Sequence, residues 1–476
     1  MKFNSFDYLL FFAAVVAVFF ALPFRLRRAW LLGASLFFYM YWSPIFVLLI
    51  FYSTTIDYFV TLRLSHMRGV AARRGLLTLS YATNFGALFV FKYYNFFVDS
   101  WGAVMQRVGV PFHAPLLNVI LPVGISFYTF EAISYTTDVY HRKYPAERSY
   151  PRLLLFILFF PKLIAGPIER AWHLIPQFER RSVFEYARVR EGLAKILWGL
   201  TKKLVVADRL GIYVDAIYNN VGRHTGGSYL VATLFFAFQI YCDFSAYSDI
   251  AIGSSQVMGF ELLRNFRRPY FATSIGDFWR RWHISLSTWF RDYVYIPLGG
   301  NRHGFWRMNQ NLFTVFLVSG IWHGARWTFV LWGLYHGVAL LIETIWKRFV
   351  PALGAPAALR PWGQRLLTFP VACLSWVLFR ANSVHDAGAV YAGMFGDLSL
   401  QRFLAENAGG NFRQLAYGAL GIAMVLAVEL ATECGLYGQL WRPALKPVRW
   451  LAYAGLATLI VAIGVFDGGQ FIYFQF

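Results

Sequence analysis

Long apolar runs separated by short basic connectors make up most of the chain. The runs lie at about 8–22, 29–63, 76–98, 116–137, 152–165, 192–218, 229–260, 310–346, 366–381, 414–433 and 450–466. A helix needs roughly 20 apolar residues to cross the hydrocarbon core of a bilayer, and most of these runs reach that length. The pattern predicts a multi-pass bundle of membrane helices, with 29–63 split in two near Pro44 and with 152–165 and 192–218 partial or tilted. The first run, Tyr8 to Leu22, has no small-residue cleavage site before Arg25, Arg27 and Arg28. It reads as a retained span and not as a removed signal, its C-terminal end in the cytoplasm. Basic connectors at Arg68–Arg74, His141–Arg152, Glu169–Arg190, Arg264–Arg268 and Arg302–Arg307 read as cytoplasmic or interfacial loops.

Two breakers fall inside apolar stretches, Pro122-Val-Gly124 and Gly166-Pro167. Irregular backbone at membrane depth is tolerated only where protein or a water-lined cavity covers it, so these positions hint at a cavity within the bundle. No fixed-period repeat, low-complexity tract or long Gly/Ser/Pro linker interrupts the chain, and residues 1–476 read as one integral-membrane domain.

Composition narrows this further. The chain is 58% hydrophobic and 14% charged, against about 25% charge in soluble domains, which excludes a soluble fold, a disordered chain, a collagen and a coiled coil. Its 44 basic and 24 acidic residues leave a net charge of +20. In a soluble protein that excess would suggest nucleic acid. Here it follows from the accumulation of Lys and Arg in cytoplasmic loops, and no nucleic-acid partner is expected. Attraction of anionic lipid, a phosphorylated cofactor or an acidic carrier protein stays open. Cys242, Cys373 and Cys434 are far apart and lie in apolar stretches, so they suit neither a zinc site nor a disulfide framework.

The candidate chemistry is concentrated in two segments. From Asp277 to Gly300 the chain reads DFWRRWHISLSTWFRDYVYIPLGG. As one helix, it would place Trp279, Trp282, Leu286, Trp289, Phe290 and Tyr293 on an aromatic stripe and Arg280, Ser287 and Arg291 on a polar one, with His283 at the border. An interfacial amphipathic helix with snorkelling arginines would show the same pattern. The second segment, Ser319 to Gly337, places His323 between Gly320 and Gly324 in an apolar run. An ionisable group there marks a functional position or a satisfied packing contact. His336 follows 13 residues later, about 220° around and about 20 Å along a straight helix, so the two histidines could not share a metal on it. No HExxH motif, Cys/His cluster, nucleophile elbow or phosphate-binding Walker loop occurs, and no metal is expected. Asp243 and Asp249 lie in the apolar run QIYCDFSAYSDIAIG and read as internally paired, with an arginine such as Arg280 or Arg281.

These segments carry a resemblance. LPVGISFYTFEAISYTTDVY (121–140), FFPKLIAGPIER (159–170), QIYCDFSAYSDIAIG (239–253), FWRRWHISLSTWFRDYVYIPLGGNR (278–302) and SGIWHGARWTFVLWGLYHG (319–337) closely resemble the membrane-bound O-acyltransferases (MBOAT). Within that family they look most like the bacterial alginate O-acetyltransferase-like branch, which acetylates envelope polysaccharides. The similarity runs from about Trp42 to Glu343, in the same order. It implies an all-α integral membrane fold with roughly 11–13 transmembrane or re-entrant helices around a central funnel, in the bacterial inner membrane. There an acyl thioester from the cytoplasm, with acetyl-coenzyme A as expected donor and no bound cofactor, meets an acceptor from the other side.

The family's near-invariant histidine maps onto His323, and its second polar position onto His283, 40 residues upstream. The resemblance makes His323 the base that takes the proton of the acceptor hydroxyl. His283 would orient the acceptor or donate to the developing oxyanion. Arg280 and Arg281 are expected near the donor's phosphates or balancing the acidic pair, and Trp282, Ser285 and Trp322 near the substrates. The chain ends in DGGQFIYFQF, residues 467–476. An aromatic belt would look the same, but this tail also resembles a C-terminal motif of envelope acylation systems, in which its tyrosine, here Tyr473, relays the acyl group to a serine of an extracytoplasmic SGNH-type partner. The expected partners are thus the acyl-thioester donor, a polysaccharide acceptor, that protein and membrane lipid. Two other readings remain: D-alanyl transfer from an acidic carrier protein to an envelope polymer, and, in a different class, a transporter or flippase.

Overall fold

A computed structural model describes residues 1–349, 360–436 and 446–466, and among them every regular element is a helix. Five of these helices are long and apolar enough to cross a membrane: Pro44–His66, Gly226–Met258, Trp327–Phe349, Asn411–Glu433 and Lys446–Ile463. The chain forms two compact units, one of residues 1–195 and 250–263, the other of residues 196–249 and 264–476.

The first unit follows the hydrophobic runs closely, with breaks where the local chemistry requires them. Ser5 caps the helix Phe6–Ala21 by accepting from the Tyr8 amide, and Pro23 precedes Phe24–Met40. The break near Pro44 is a short 3-10 turn ahead of Val47–His66. The run at 116–137 is helical only from Ile125. Gly124 starts that helix at φ 76°, and a Cβ there would lie 2.6 Å from the Leu163 carbonyl oxygen. Gly166 is equally confined, with its hypothetical Cβ 2.4 Å from the Lys162 Cα. Both breakers are thus points of close backbone approach, which only glycine allows. Lys162, itself buried, pairs with the buried Glu131, and the Glu169 amide donates to the same carboxylate at 3.0 Å.

The second unit contains the helices Ile275–Arg281, Ile284–Phe290, Gly304–His323, Trp327–Phe349, Arg360–Arg380, Val384–Met394, Gly410–Glu433 and Lys446–Ile463. The apolar run at 310–346 is therefore two helices, joined through Gly324, whose extended backbone ends the first one. π-Helical turns occur at Thr201–Ala207 and Arg291–Tyr295.

The acidic pair in the long helix has partners other than those expected. Asp243 pairs with Lys203 at 2.7 Å and Asp249 with Lys202 at 2.8 Å, and Lys203 also meets Asp208 at 2.8 Å. Arg280 and Arg281 instead pair with Asp277. The π-helical turn causes the difference, because it presents two consecutive lysines to the helix that carries the aspartates. The Lys203–Asp243 pair is buried on both sides, and removing one partner would leave an uncompensated charge, at about 3–5 kcal/mol; Asp249 is half-buried.

Candidate active site

The Asp277–Gly300 segment does not form one helix. It breaks at His283, whose backbone stands at φ 41°, ψ 54° in the left-handed region, between Ile275–Arg281 and Ile284–Phe290. A non-glycine residue there is strained and persists only where its surroundings hold it. Asn265 provides that hold. Its backbone oxygen accepts from the Ile284 amide at 2.9 Å, and its Oδ1 accepts from the Ser285 hydroxyl at 2.7 Å and the Ser285 amide at 3.3 Å. A backbone amide only donates, so the atom facing Ser285 is the amide oxygen of Asn265. The same oxygen lies 3.2 Å from His283 Nδ1, which therefore carries a proton. The lone pair of neutral His283 is on Nε2, where it can accept from a hydroxyl.

His323 is the last residue of Gly304–His323 and is 2% exposed. Its Nδ1 lies 2.6 Å from the carbonyl oxygen of Ser319, one turn earlier. A carbonyl only accepts, so Nδ1 is protonated and the lone pair of this ring is also on Nε2. The carbonyls that end the helix lie at its negative pole, which favours any imidazolium formed there.

Aromatic rings join the two histidines. Trp322 has its ring 6.1 Å from that of His283 and 5.0 Å from that of His323, both edge-on. Phe244 meets His283 edge-on at 4.6 Å, and Trp332 meets His323 at 4.7 Å. Such edge contacts each add about 0.5–1.5 kcal/mol beyond area burial and fix ring orientation.

Trp332 also packs against His336, at 5.0 Å. The turn at Gly324 folds the two helices into a hairpin, so the straight helix that would have kept His323 and His336 apart does not exist. His336 is nevertheless fully engaged. The Trp279 indole donates to its Nδ1 at 3.3 Å, its Nε2 donates to Ser375 Oγ at 3.1 Å, and that hydroxyl donates to the Ala372 carbonyl at 2.7 Å. This chain of bonds assigns His336 to packing. Among the described residues no three His, Cys, Asp or Glu side chains are grouped as metal ligands.

The other expected residues separate. Ser285 and Trp322 belong to the histidine cluster. Trp282 is 1% exposed and stacks on Phe278, at 5.5 Å, within an aromatic core. The Arg280 side chain is 72% exposed, whereas that of Arg281 is only 18% exposed and is tied to Asp277 at 3.0 Å. Tyr473 lies outside the described residues. Asn265 and Trp332 are members of the site that the motifs did not single out.

Two buried imidazoles, each with its Nδ1 against a hydrogen-bond acceptor, thus share one aromatic cluster, and the chain that carries them belongs to a known family. The profile of the membrane-bound O-acyltransferase family matches residues 32–379, and the chain belongs to that family and is an O-acyltransferase. It is 41% identical over 407 residues to the probable alginate O-acetylase AlgI of Pseudomonas aeruginosa, a match covering 85% of this chain and 76% of that protein. It is 35% identical over 396 residues to the peptidoglycan O-acetyltransferase of Helicobacter pylori, covering 78% and 74% of the two chains. A match to the teichoic acid D-alanyltransferase of Bacillus subtilis is 30% identical over 293 residues and covers 57% and 72%.

Proposed function

We propose that this protein, in a bacterial inner membrane, moves an acetyl group from a cytoplasmic thioester, acetyl-coenzyme A, toward hydroxyls of an exported envelope polysaccharide. The observation that carries the reading is the 2.6 Å contact of His323 Nδ1 with the Ser319 carbonyl oxygen, which assigns the basic nitrogen of the neutral ring to Nε2 within a buried aromatic cluster. His323 Nε2 takes the proton of the attacking hydroxyl as its oxygen bonds to the thioester carbonyl carbon. The carbon–sulfur bond then breaks, and the same proton goes to the departing thiolate, giving an ester and a free thiol. The helix C-terminus favours the imidazolium between these steps. His283, protonated on Nδ1, orients the acceptor by taking a hydrogen bond at Nε2 and does not donate to the oxyanion while neutral. Tyr473 is the proposed first acceptor, passing the acetyl group to a serine of an extracytoplasmic SGNH-type partner.

Acetyl transfer is favoured over D-alanyl transfer because the O-acetylating relatives match a larger share of the chain at higher identity than the D-alanyltransferase does. The test is purified protein with radiolabelled acetyl-coenzyme A, comparing wild type with His323→Gln. The variant should lose about a hundredfold or more of the transfer rate, within the range of general-base catalysis, while inserting into membranes at wild-type level. Wild-type activity in the variant would remove His323 from the chemistry. Acyl label on Tyr473 by mass spectrometry, lost in Tyr473→Phe, tests the relay.

A further inference from the structure

Glu433 closes the helix Gly410–Glu433, at the pole where a carboxylate is disfavoured. Three guanidinium groups hold it there. Arg268 Nε donates to Oε2 at 2.6 Å, and Arg281 and Arg365 each donate to Oε1 at 3.4 Å. Three cations on one carboxylate exceed what an ion pair needs, even with Asp277 3.0 Å from Arg281. All four side chains of the group keep between 16% and 21% exposure, so none of them is sealed in the core. Arg268 stands at φ 49°, ψ 63°, a conformation costly for any residue but glycine. Arg365 lies 4.7 Å over the ring of Trp362, which is 49% exposed.

The backbone ties this group to the histidine cluster. The Arg267 amide donates to the Arg281 carbonyl and the Ile284 amide to the Asn265 carbonyl, both at 2.9 Å. Residues 265–268 and 281–284 are thus clasped together. One end of the clasp carries Asn265 and His283, the other Arg268 and Arg281.

We infer that Arg268, Arg281 and Arg365 form an anion site for the phosphate groups of the thioester donor, that Glu433 occupies this site until the donor displaces it, and that the clasp couples the exchange to the position of His283. The inference rests on the thioester-donor reading above. Guanidinium forks match phosphate oxygens as they match carboxylate oxygens, and a diphosphate brings more charge to the three cations than Glu433 does. The exposed face of Trp362 beside Arg365 suits a purine, which a nucleotide-bearing thioester supplies. A 4′-phosphopantetheine arm on a carrier protein shares the phosphate but not the purine.

The test is equilibrium binding of desulfo-coenzyme A, which has the phosphates but no thiol and so reports docking without acyl transfer. A phosphopantetheinylated carrier peptide is run beside it, and the full chain is used in detergent. Arg268→Ala and Arg365→Ala should each weaken desulfo-coenzyme A binding by about tenfold or more, and Glu433→Gln should tighten it by about threefold or more, since an internal competitor is removed. Arg365→Lys should recover part of the loss, and melting temperature identifies any variant that fails to fold. A purely structural Glu433 predicts the opposite sign, a less stable protein that binds no better. Unchanged binding in folded arginine variants, or no binding of either probe to wild type, overturns the inference. The same pattern seen with the peptide alone upholds the anion site and assigns the donor to a carrier. Should desulfo-coenzyme A bind as described while acetyl-coenzyme A transfers nothing, the docking site stands and the acetyl-transfer reading fails.

Discussion

His283 is held in a left-handed conformation by a residue 18 positions earlier, and the site depends on that bracket. Asn265 is fully buried, and its single amide oxygen serves His283 and both donors of Ser285. Asn265→Ala should lower the acyl-transfer rate, because His283 Nδ1 loses the acceptor that fixes its tautomer, with little change in the KM for the donor. Asn265→Asp keeps the acceptor but faces the imidazole with a carboxylate, which favours imidazolium. Its rate–pH profile should therefore have its acid limb moved to higher pH, a shift that a purely structural role would not produce. His323 stands out in the sequence because an ionisable residue between two glycines in an apolar run marks a functional position or a satisfied packing contact, and the structure places it beside His283 in one aromatic cluster. Asn265 does not stand out, because an asparagine in a basic loop is unremarkable until the chain returns beside it. The lysine partners of Asp243 and Asp249 were hidden for a similar reason, being set by a π-helical turn that no periodicity announces.

The hairpin of Gly304–His323 and Trp327–Phe349 sets the position of His323, and its closeness depends on glycines. A Cβ on Gly320 would lie 2.4 Å from the Phe329 carbonyl oxygen, and one on Gly333 would lie 2.4 Å from that of Phe316. Backbone cannot yield there as a side chain tip could, so the two helices must separate. Gly320→Ala and Gly333→Ala should each destabilise by about 1–3 kcal/mol as overpacking changes, and both should lose activity because His323 moves with its helix. Gly388 in Val384–Met394 has nothing within 4 Å of its Cβ position, and Gly388→Ala should instead be neutral or stabilise by up to about 1 kcal/mol. Thermal melts of the three variants in one detergent check the contrast. A stable and active Gly320→Ala protein would mean that the two helices pack less closely than these distances require. Most helices were legible as runs of apolar residues, including the break at Pro44. The Asp277–Gly300 segment was not, since its helical periodicity continues through His283 and only the bracket from Asn265 breaks it.

For the whole molecule, the distribution of charge sets the orientation in the membrane. In the first unit, the helix Ile125–Tyr140 lies between the apolar stretch 109–124 and the basic turn that begins at His141. Its 16 residues make about 24 Å, short of the roughly 30 Å hydrocarbon core. The stretch before it is not helical and exposes Leu116, Val119 and Ile120; irregular backbone exposed to lipid is not tolerated in the hydrocarbon core, so this stretch belongs at the membrane surface. The positive-inside rule predicts Arg142 and Lys143 on the cytoplasmic side, and a crossing by this helix would then put Asn118 at the opposite face. Cys434 is exposed, while Cys242 and Cys373 are buried, so a Cys434→Ser background leaves no accessible native thiol among the three. In that background a membrane-impermeant maleimide applied to intact cells should label Asn118→Cys and spare Lys143→Cys, and permeabilised cells should show both. Labelling of both from outside would mean that Ile125–Tyr140 does not cross. Labelling of Lys143→Cys alone would reverse the orientation of this helix and put its basic turn outside the cytoplasm.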